Sequence, residues 1–147
     1  MRAFHDPVSL RHDPPGFVVS GRRQPSPERP ERVALLLEGL GTIGAAIETP
    51  PPLMLAACAP IHTPRYLAFL SSVVDRWSRL DGASDFPVPN IHALGRPGLP
   101  TPGYPASIVG QVGYHLGDGS SPITDDTLPS ALGAAACAVA AARAVLA

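Results

Sequence analysis

The sequence has almost no net charge. Eleven basic residues face twelve acidic ones, for a formal net charge of −1. A nucleic-acid binder needs a cationic face that releases counterions, and this balance gives no case for one. Arg22 with Arg23, and Arg29 with Arg32, are the local concentrations, and they read as solvated surface. Cysteine is scarce. Cys58 and Cys137 lie far apart in no metal-ligand spacing, so isolated buried thiols in a reducing compartment are expected. The first residues, MRAFHDPVSL, lack an apolar signal core, so nothing points to export and the cytoplasm is the expected location. The longest apolar run is the alanine-rich stretch near the end, interrupted by Arg143. It reads as too short and too weakly hydrophobic to span a bilayer, so no membrane partner is expected.

Local catalytic motifs are also missing. His5, His12, His62, His92 and His115 are nowhere paired at i+3 or i+4, and there is no D-x-H, H-x-H or C-x-x-C. No metal cluster is therefore encoded locally. There is no G-x-S-x-G elbow and no G-x-G-x-x-G after a strand. Gly113 to Gly119, GYHLGDG, has no lysine and no strand before it, which argues against a phosphate loop. His62, just before a helix cap, reads as a hydrogen-bonded residue that fixes a loop. His115 and Asp118 lie near Tyr114 in another loop. A ligand contact is one reading there, and turn formation by Gly117, Asp118 and Gly119 is the other.

Proline and glycine are plentiful, at nineteen and fourteen residues, which predicts long irregular loops. Hydrophobic residues make up 45% of the 147, enough for the core of one domain or part of one. The clearest element is Ile61 to Leu80, IHTPRYLAFLSSVVDRWSRL. Thr63 supplies a cap and Pro64 the first helical position. Tyr66, Leu67, Phe69, Leu70, Val73, Val74, Trp77 and Leu80 then share one helical face. A second helix is expected from Pro27 or Pro30, capped by Ser26, with Val33, Leu36, Leu37 and Leu40 on one face and an end at Gly39 to Gly41. A third is expected after a Thr127 cap, with a stripe of Leu128, Leu132, Ala135, Val139, Ala142 and Leu146. Met1 to His5 reads as a short strand, and His12 to Pro27 as loop. Asp81 to Thr124 reads as a long loop laid over a surface, with a short helix inside Ala106 to Tyr114. Its scattered apolar residues include Phe86, Ile91, Leu94, Leu99, Ile108 and Val112.

Three blocks together resemble one known family. PERPERVALLLEGL (Pro27 to Leu40), IHTPRYLAFLSSVVDRW (Ile61 to Trp77) and GQVGYHLGDGSSPIT (Gly110 to Thr124) are similar, in this order, to segments of the zinc-dependent deacetylases. The D-R-W ending and the G-Q-x-G-Y segment point to the acetylpolyamine amidohydrolase branch. The resemblance implies an α/β fold of the arginase and deacetylase type, three-layered around a parallel sheet. Residues 1–147 would be an N-terminal portion of that domain, mostly helices and long loops, with 81–124 as a loop within it. It also implies removal of acetyl groups from acetylated amines by one zinc, held by two aspartates and a histidine. A histidine pair and a tyrosine assist. In the family these groups lie beyond the alanine-rich helix, so this chain is expected to bind no zinc, to be inactive alone and to be poorly soluble.

The resemblance carries only the rim of the pocket onto this chain. Phe17, Tyr114, His115, Asp118 and Ser120 are the candidate residues, and the 85–124 loop is the candidate homodimer contact. Ser120 falls where the family has a substrate-contacting carboxylate, and Val109 where the polyamine branch has a second acid. Losing both weakens the case for a cationic polyamine. The alternative is a non-catalytic remnant, serving as a dimerisation or binding module. A ureohydrolase of the arginase type shares the fold but fits the three blocks poorly.

Overall fold

The computed structural model describes residues 1–90, 97–98, 100 and 103–147. Ile91, His92, Leu94 and Leu99 lie outside the described residues. In chain order the elements are β1 (Arg2–Phe4), β2 (Phe17–Val19), β3 (Arg22–Gln24), α1 (Glu31–Thr42), β4 (Ala46–Glu48), α2 (Pro64–Leu70), α3 (Val73–Ser78), α4 (Ile108–His115) and α5 (Thr127–Leu146). Short 3-10 turns cover Pro7–Arg11 and Leu55–Cys58. The fold is α/β, and the chain divides into two compact units.

The first unit comprises residues 1–13, 27–61 and 125–147. The expected N-terminal strand is β1. It pairs in parallel with β4, with Ala3 opposite Ile47. β4 was not legible, because three residues before a proline run carry no alternation. Arg2 donates two hydrogen bonds to the Glu48 carboxylate, at 2.7 and 2.9 Å, across the pair.

Helix α1 starts at the later of the two expected positions, Pro30 rather than Pro27. Ser26 does not cap it; Pro30 occupies the N-cap position and supplies no side-chain bond. The cause is steric, since a proline at 30 disfavours the helical region for Arg29, so no helix beginning at Pro27 can run through it. The end is later too. Gly44, at φ +66°, sits beyond the last turn. The Gly44 N–H reaches Gly41 O at 3.0 Å and the Ala45 N–H reaches Leu40 O at 3.1 Å. That bond pair is the Schellman stop. No residue of α1 is buried. Val33, Leu37 and Leu40 are half-covered, while Leu35 and Leu36 are 68% and 66% exposed.

Helix α5 packs on the Pro7–Arg11 turn and on β1. Asp126, not Thr127, takes the N-cap position. The Thr127 hydroxyl lies 3.3 Å from His12 Nδ1 instead. Ser130, Gly133 and Ala136 form the buried face. The Ser130 hydroxyl donates to Val8 O at 3.1 Å. A Cβ on Gly133 would come within 2.5 Å of Val8 Cγ1 and 3.0 Å of Asp6 Oδ2, so glycine is what permits the approach. The helix is 20 residues long with a mean hydropathy of 1.5 over its apolar window, which is long and apolar enough to cross a membrane by those criteria alone. The sequence-based reading of this stretch as too short and too weakly apolar is corrected on that point. Core helices of soluble proteins pass the same test, but those are mostly buried, whereas 11% of this window is buried and Ser130, Gly133 and Ala136 are the buried residues of the helix. Cys58 and Cys137 are free and half-buried rather than buried. Burial pushes the Cys137 thiol up.

The second unit comprises residues 14–26 and 62–124. The stretch expected as loop holds a hairpin, β2 antiparallel to β3, with Val18 opposite Arg23. Ser20 and Gly21 join the strands at φ +51° and +70°. Two left-handed residues match the right-handed twist of the flanking strands.

The long amphipathic stretch is two helices rather than one. Thr63 caps α2 as expected, its hydroxyl accepting from the Tyr66 N–H at 3.3 Å, with Pro64 at the first position. The break comes at Ser71 and Ser72. Their hydroxyls donate back to Leu67 O and Ala68 O at 2.8 and 2.9 Å, competing with the helical ladder. The apolar face survives the break. Phe69, Val73 and Trp77 form one core with Ile108, Val112 and Ile123. The Trp77 indole N–H donates to Ser84 O at 3.1 Å. Ile108, Val112 and Ile123 belong to the supposed surface loop, and Phe86 of the same segment is also buried. That segment is therefore not draped over a core; it supplies half of one.

Candidate functional site

The candidate residues gather around α4 and the turn after it. Ser107 caps α4, its hydroxyl accepting from the Gly110 N–H at 3.2 Å. Gly110 lies against Pro105, where a Cβ would meet Pro105 Cβ at 2.6 Å. Ile108 and Val112 anchor the inner face in the core. This fixes Gln111, Tyr114 and His115 in their directions.

His115 sits among aromatic rings. Its centroid lies 4.4 Å from Phe69, 5.5 Å from Tyr66, 5.1 Å from Tyr114 and 5.5 Å from Tyr104. Its Nε2 shares a 3.1 Å hydrogen bond with the Tyr104 hydroxyl. Burial lowers its pKa, and the nearby Arg65 charge lowers it further. The imidazole is thus held neutral at neutral pH, with one nitrogen already engaged. Tyr114 meets Tyr104 edge to face at 5.1 Å. The Arg65 guanidinium lies 4.5 Å over the Tyr104 ring and donates a long 3.5 Å bond to the Tyr114 hydroxyl.

The other candidates form a second group. Asp118 accepts from the Ser120 N–H at 2.8 Å, so its carboxylate shapes its own turn. Gly119 O accepts from the Val18 N–H at 2.8 Å, which brings the 118–120 turn onto β2 beside Phe17. Phe17 is half-buried, and Asp118 and Ser120 are exposed. The structure therefore unites Tyr114 with His115, and separately Phe17 with the Asp118–Ser120 turn. Among the described residues the contact of His62 is with a ring, Tyr66 at 5.3 Å, rather than the loop-fixing hydrogen bond expected. Sequence reading missed Arg65 and Tyr104 as site residues, because only tertiary packing brings them to α4.

A cleft of about 170 Å³ opens beside this cluster, lined by Arg65, Phe69, Ser72, Arg76, Tyr104 and Gln111 among others. The first unit has its own cavity of about 370 Å³ between the Pro50–Leu53 run and Ala136 to Ala147 of α5. Among the described residues, no three His, Cys, Asp or Glu side chains converge as metal ligands. The described residues therefore offer no ligand set for a resident zinc.

No protein-family model matches the chain. It is 32% identical over 143 residues to an acetylpolyamine amidohydrolase of Burkholderia pseudomallei (strain 1710b), covering 97% of this chain and 40% of that protein. The crystal structure of an acetylpolyamine aminohydrolase from Burkholderia pseudomallei, soaked in iodide, matches with a TM-score of 0.78 at 29% identity, over 99% of this chain and 41% of that one. The chain thus spans about two fifths of the length of these relatives. The resemblance drawn from three sequence blocks holds over nearly all of its residues, and the α/β fold is shared over the matched length.

Proposed function

We propose that this chain is part of a zinc-dependent amidohydrolase that removes acetyl groups from acetylated amines. Its residues supply scaffold and pocket rim, and the reaction centre belongs to polypeptide outside these 147 residues. The observation that carries this reading is the collinear likeness to an acetylpolyamine amidohydrolase over 97% of the chain. The exposed Leu35 and Leu36 on α1, and Val145 and Leu146 on α5, are consistent with helices that pack on further polypeptide. A cytoplasmic location goes with this reading. Dimerisation through the 85–124 segment rests on the aromatic surface at Tyr114, since Phe86, Ile108 and Val112 face inward.

The substrate is an acetylated amine of the acetylpolyamine or acetyl-lysine type. Ser120 and Val109 offer no carboxylate, which leaves the exposed Asp118 as the acidic group among the candidate rim residues, and Arg65 adds a positive charge next to Tyr114. That balance weakens the attraction for a polycation.

The test compares the chain alone with the same chain joined to the polypeptide encoded downstream. Bound zinc and acetyl release are measured for both, with an N-acetylated polyamine and a neutral acetyl amide as substrates. Zinc and activity in the longer protein only, with no preference for the polyamine, are expected. Stoichiometric zinc on the 147 residues alone would overturn the reading. So would a downstream region without a histidine pair and a later D-x-H, which would favour a non-catalytic binding module.

A further inference from the structure

We propose that the cleft between Arg65 and Arg76 binds a small oxyanion, a carboxylate or a phosphate. The basic side chains of this chain are all arginine. Arg2, Arg11, Arg23, Arg32 and Arg79 pair with the carboxylates of Glu48, Asp126, Asp85, Glu28 and Asp75. Among the described residues Arg65 and Arg76, like the exposed Arg22 and Arg143, have no carboxylate partner, but only Arg65 and Arg76 line one cleft together. Arg76 donates to Gln111 Oε1 at 2.6 Å, and Arg65 rests on the rings of Tyr104 and Tyr114. Both line the same cleft of about 170 Å³, and no acidic residue does.

The neutral partners are themselves fixed. Gln111 is buried, and its Nε2 donates to Pro105 O at 2.8 Å, which leaves Oε1 aimed at Arg76. Tyr104 is held by its hydrogen bond with His115. The two guanidinium groups are therefore positioned before any ligand arrives. Two like charges facing one small cleft repel each other unless an anion sits between them. Guanidinium is planar and presents paired donors, a geometry that matches carboxylate and phosphate oxygens. The cleft has room for such an anion with a few waters, and too little for a nucleotide. This inference does not depend on the deacetylase reading, since every described residue lining the cleft belongs to the second unit.

The test uses 15N-labelled arginine in the chain joined to the polypeptide encoded downstream, with the chain alone as a second sample. Inorganic phosphate and sodium acetate are titrated separately at constant ionic strength, with chloride as the balancing salt. The Nε–H signals of Arg65 and Arg76 are expected to shift saturably together, while that of Arg79 stays still. Saturation with only one of the two anions supports the site and identifies its ligand. R65Q changes an exposed side chain, and together with R76Q it is expected to weaken binding about tenfold, the loss of a charge-assisted hydrogen bond. R79Q is expected to leave binding unchanged. A linear response, or equal shifts at Arg79, would overturn the proposal, and so would full affinity in R65Q.

Discussion

The two units of this molecule are held together by different means. The second closes on large side chains: Phe69, Val73, Trp77, Ile108, Val112 and Ile123. The first has no comparable cluster. Its helix α5 approaches the Pro7–Arg11 turn through Gly133, Ser130 and Ala136, the small residues of its buried face. Side-chain packing loses stability when atoms are removed. Close backbone packing loses it when atoms are added. Truncation should therefore cost most in the second unit, and enlargement of a small residue should be the damaging change in the first.

The largest expected effect tests the first half of that contrast. Phe69→Ala removes a ring that is 2% exposed and that supports both the core and His115. A loss of about 3–5 kcal/mol is expected, read by denaturant unfolding. Exchange protection of the α5 amides should persist in this variant; its simultaneous loss would mean that the units do not differ in the way described. Gly133→Ala tests the other half. The added methyl meets Val8, and about 1–3 kcal/mol should be lost from the first unit, seen as faster amide exchange in α5. Unchanged exchange would show that the approach is looser than its geometry.

The smallest effect sharpens the picture of the second unit. The pKa of His115 is held below the ordinary histidine value of about 6.5, chiefly by burial and secondarily by Arg65. Its stabilising contribution is therefore present above that value and is lost as pH falls through the lowered folded-state pKa. A histidine titration by NMR should place His115 below the ordinary midpoint, and Arg65→Gln should move it only part of the way back. Full recovery in that variant would make the charge, and not burial, the main cause.

Much of the local structure could be read directly from the sequence, because its causes are local. Thr63 and Pro64 mark the start of α2, and the strand at Met1 to His5 and the helix inside 106–114 are present. The misses have physical reasons. The steric reach of Pro30 onto Arg29 rules out the Pro27 start and the Ser26 cap for α1, and the serine hydroxyls at 71 and 72 divide an apolar face whose periodicity runs on unbroken. Ser20-Gly21 is a turn dipeptide, but the strands beside it are three residues long and give too little alternation to read as a hairpin. In the candidate site, Tyr114 and His115 were legible as chain neighbours. Arg65 and Tyr104 were not, since they reach α4 across 49 and 11 residues of sequence.

The β1–β4 pair has one consequence beyond its own stability. Each of these strands has a single hydrogen-bonded neighbour, so each keeps an outer border of peptide groups. A helix or loop can cover such a border, but only extended backbone, spaced at the strand repeat, can continue its hydrogen-bond ladder. Any polypeptide that completes this sheet must therefore arrive as a strand in register with Arg2–Phe4 or Ala46–Glu48, and its side chains will alternate between the two sheet faces that those six residues have already defined.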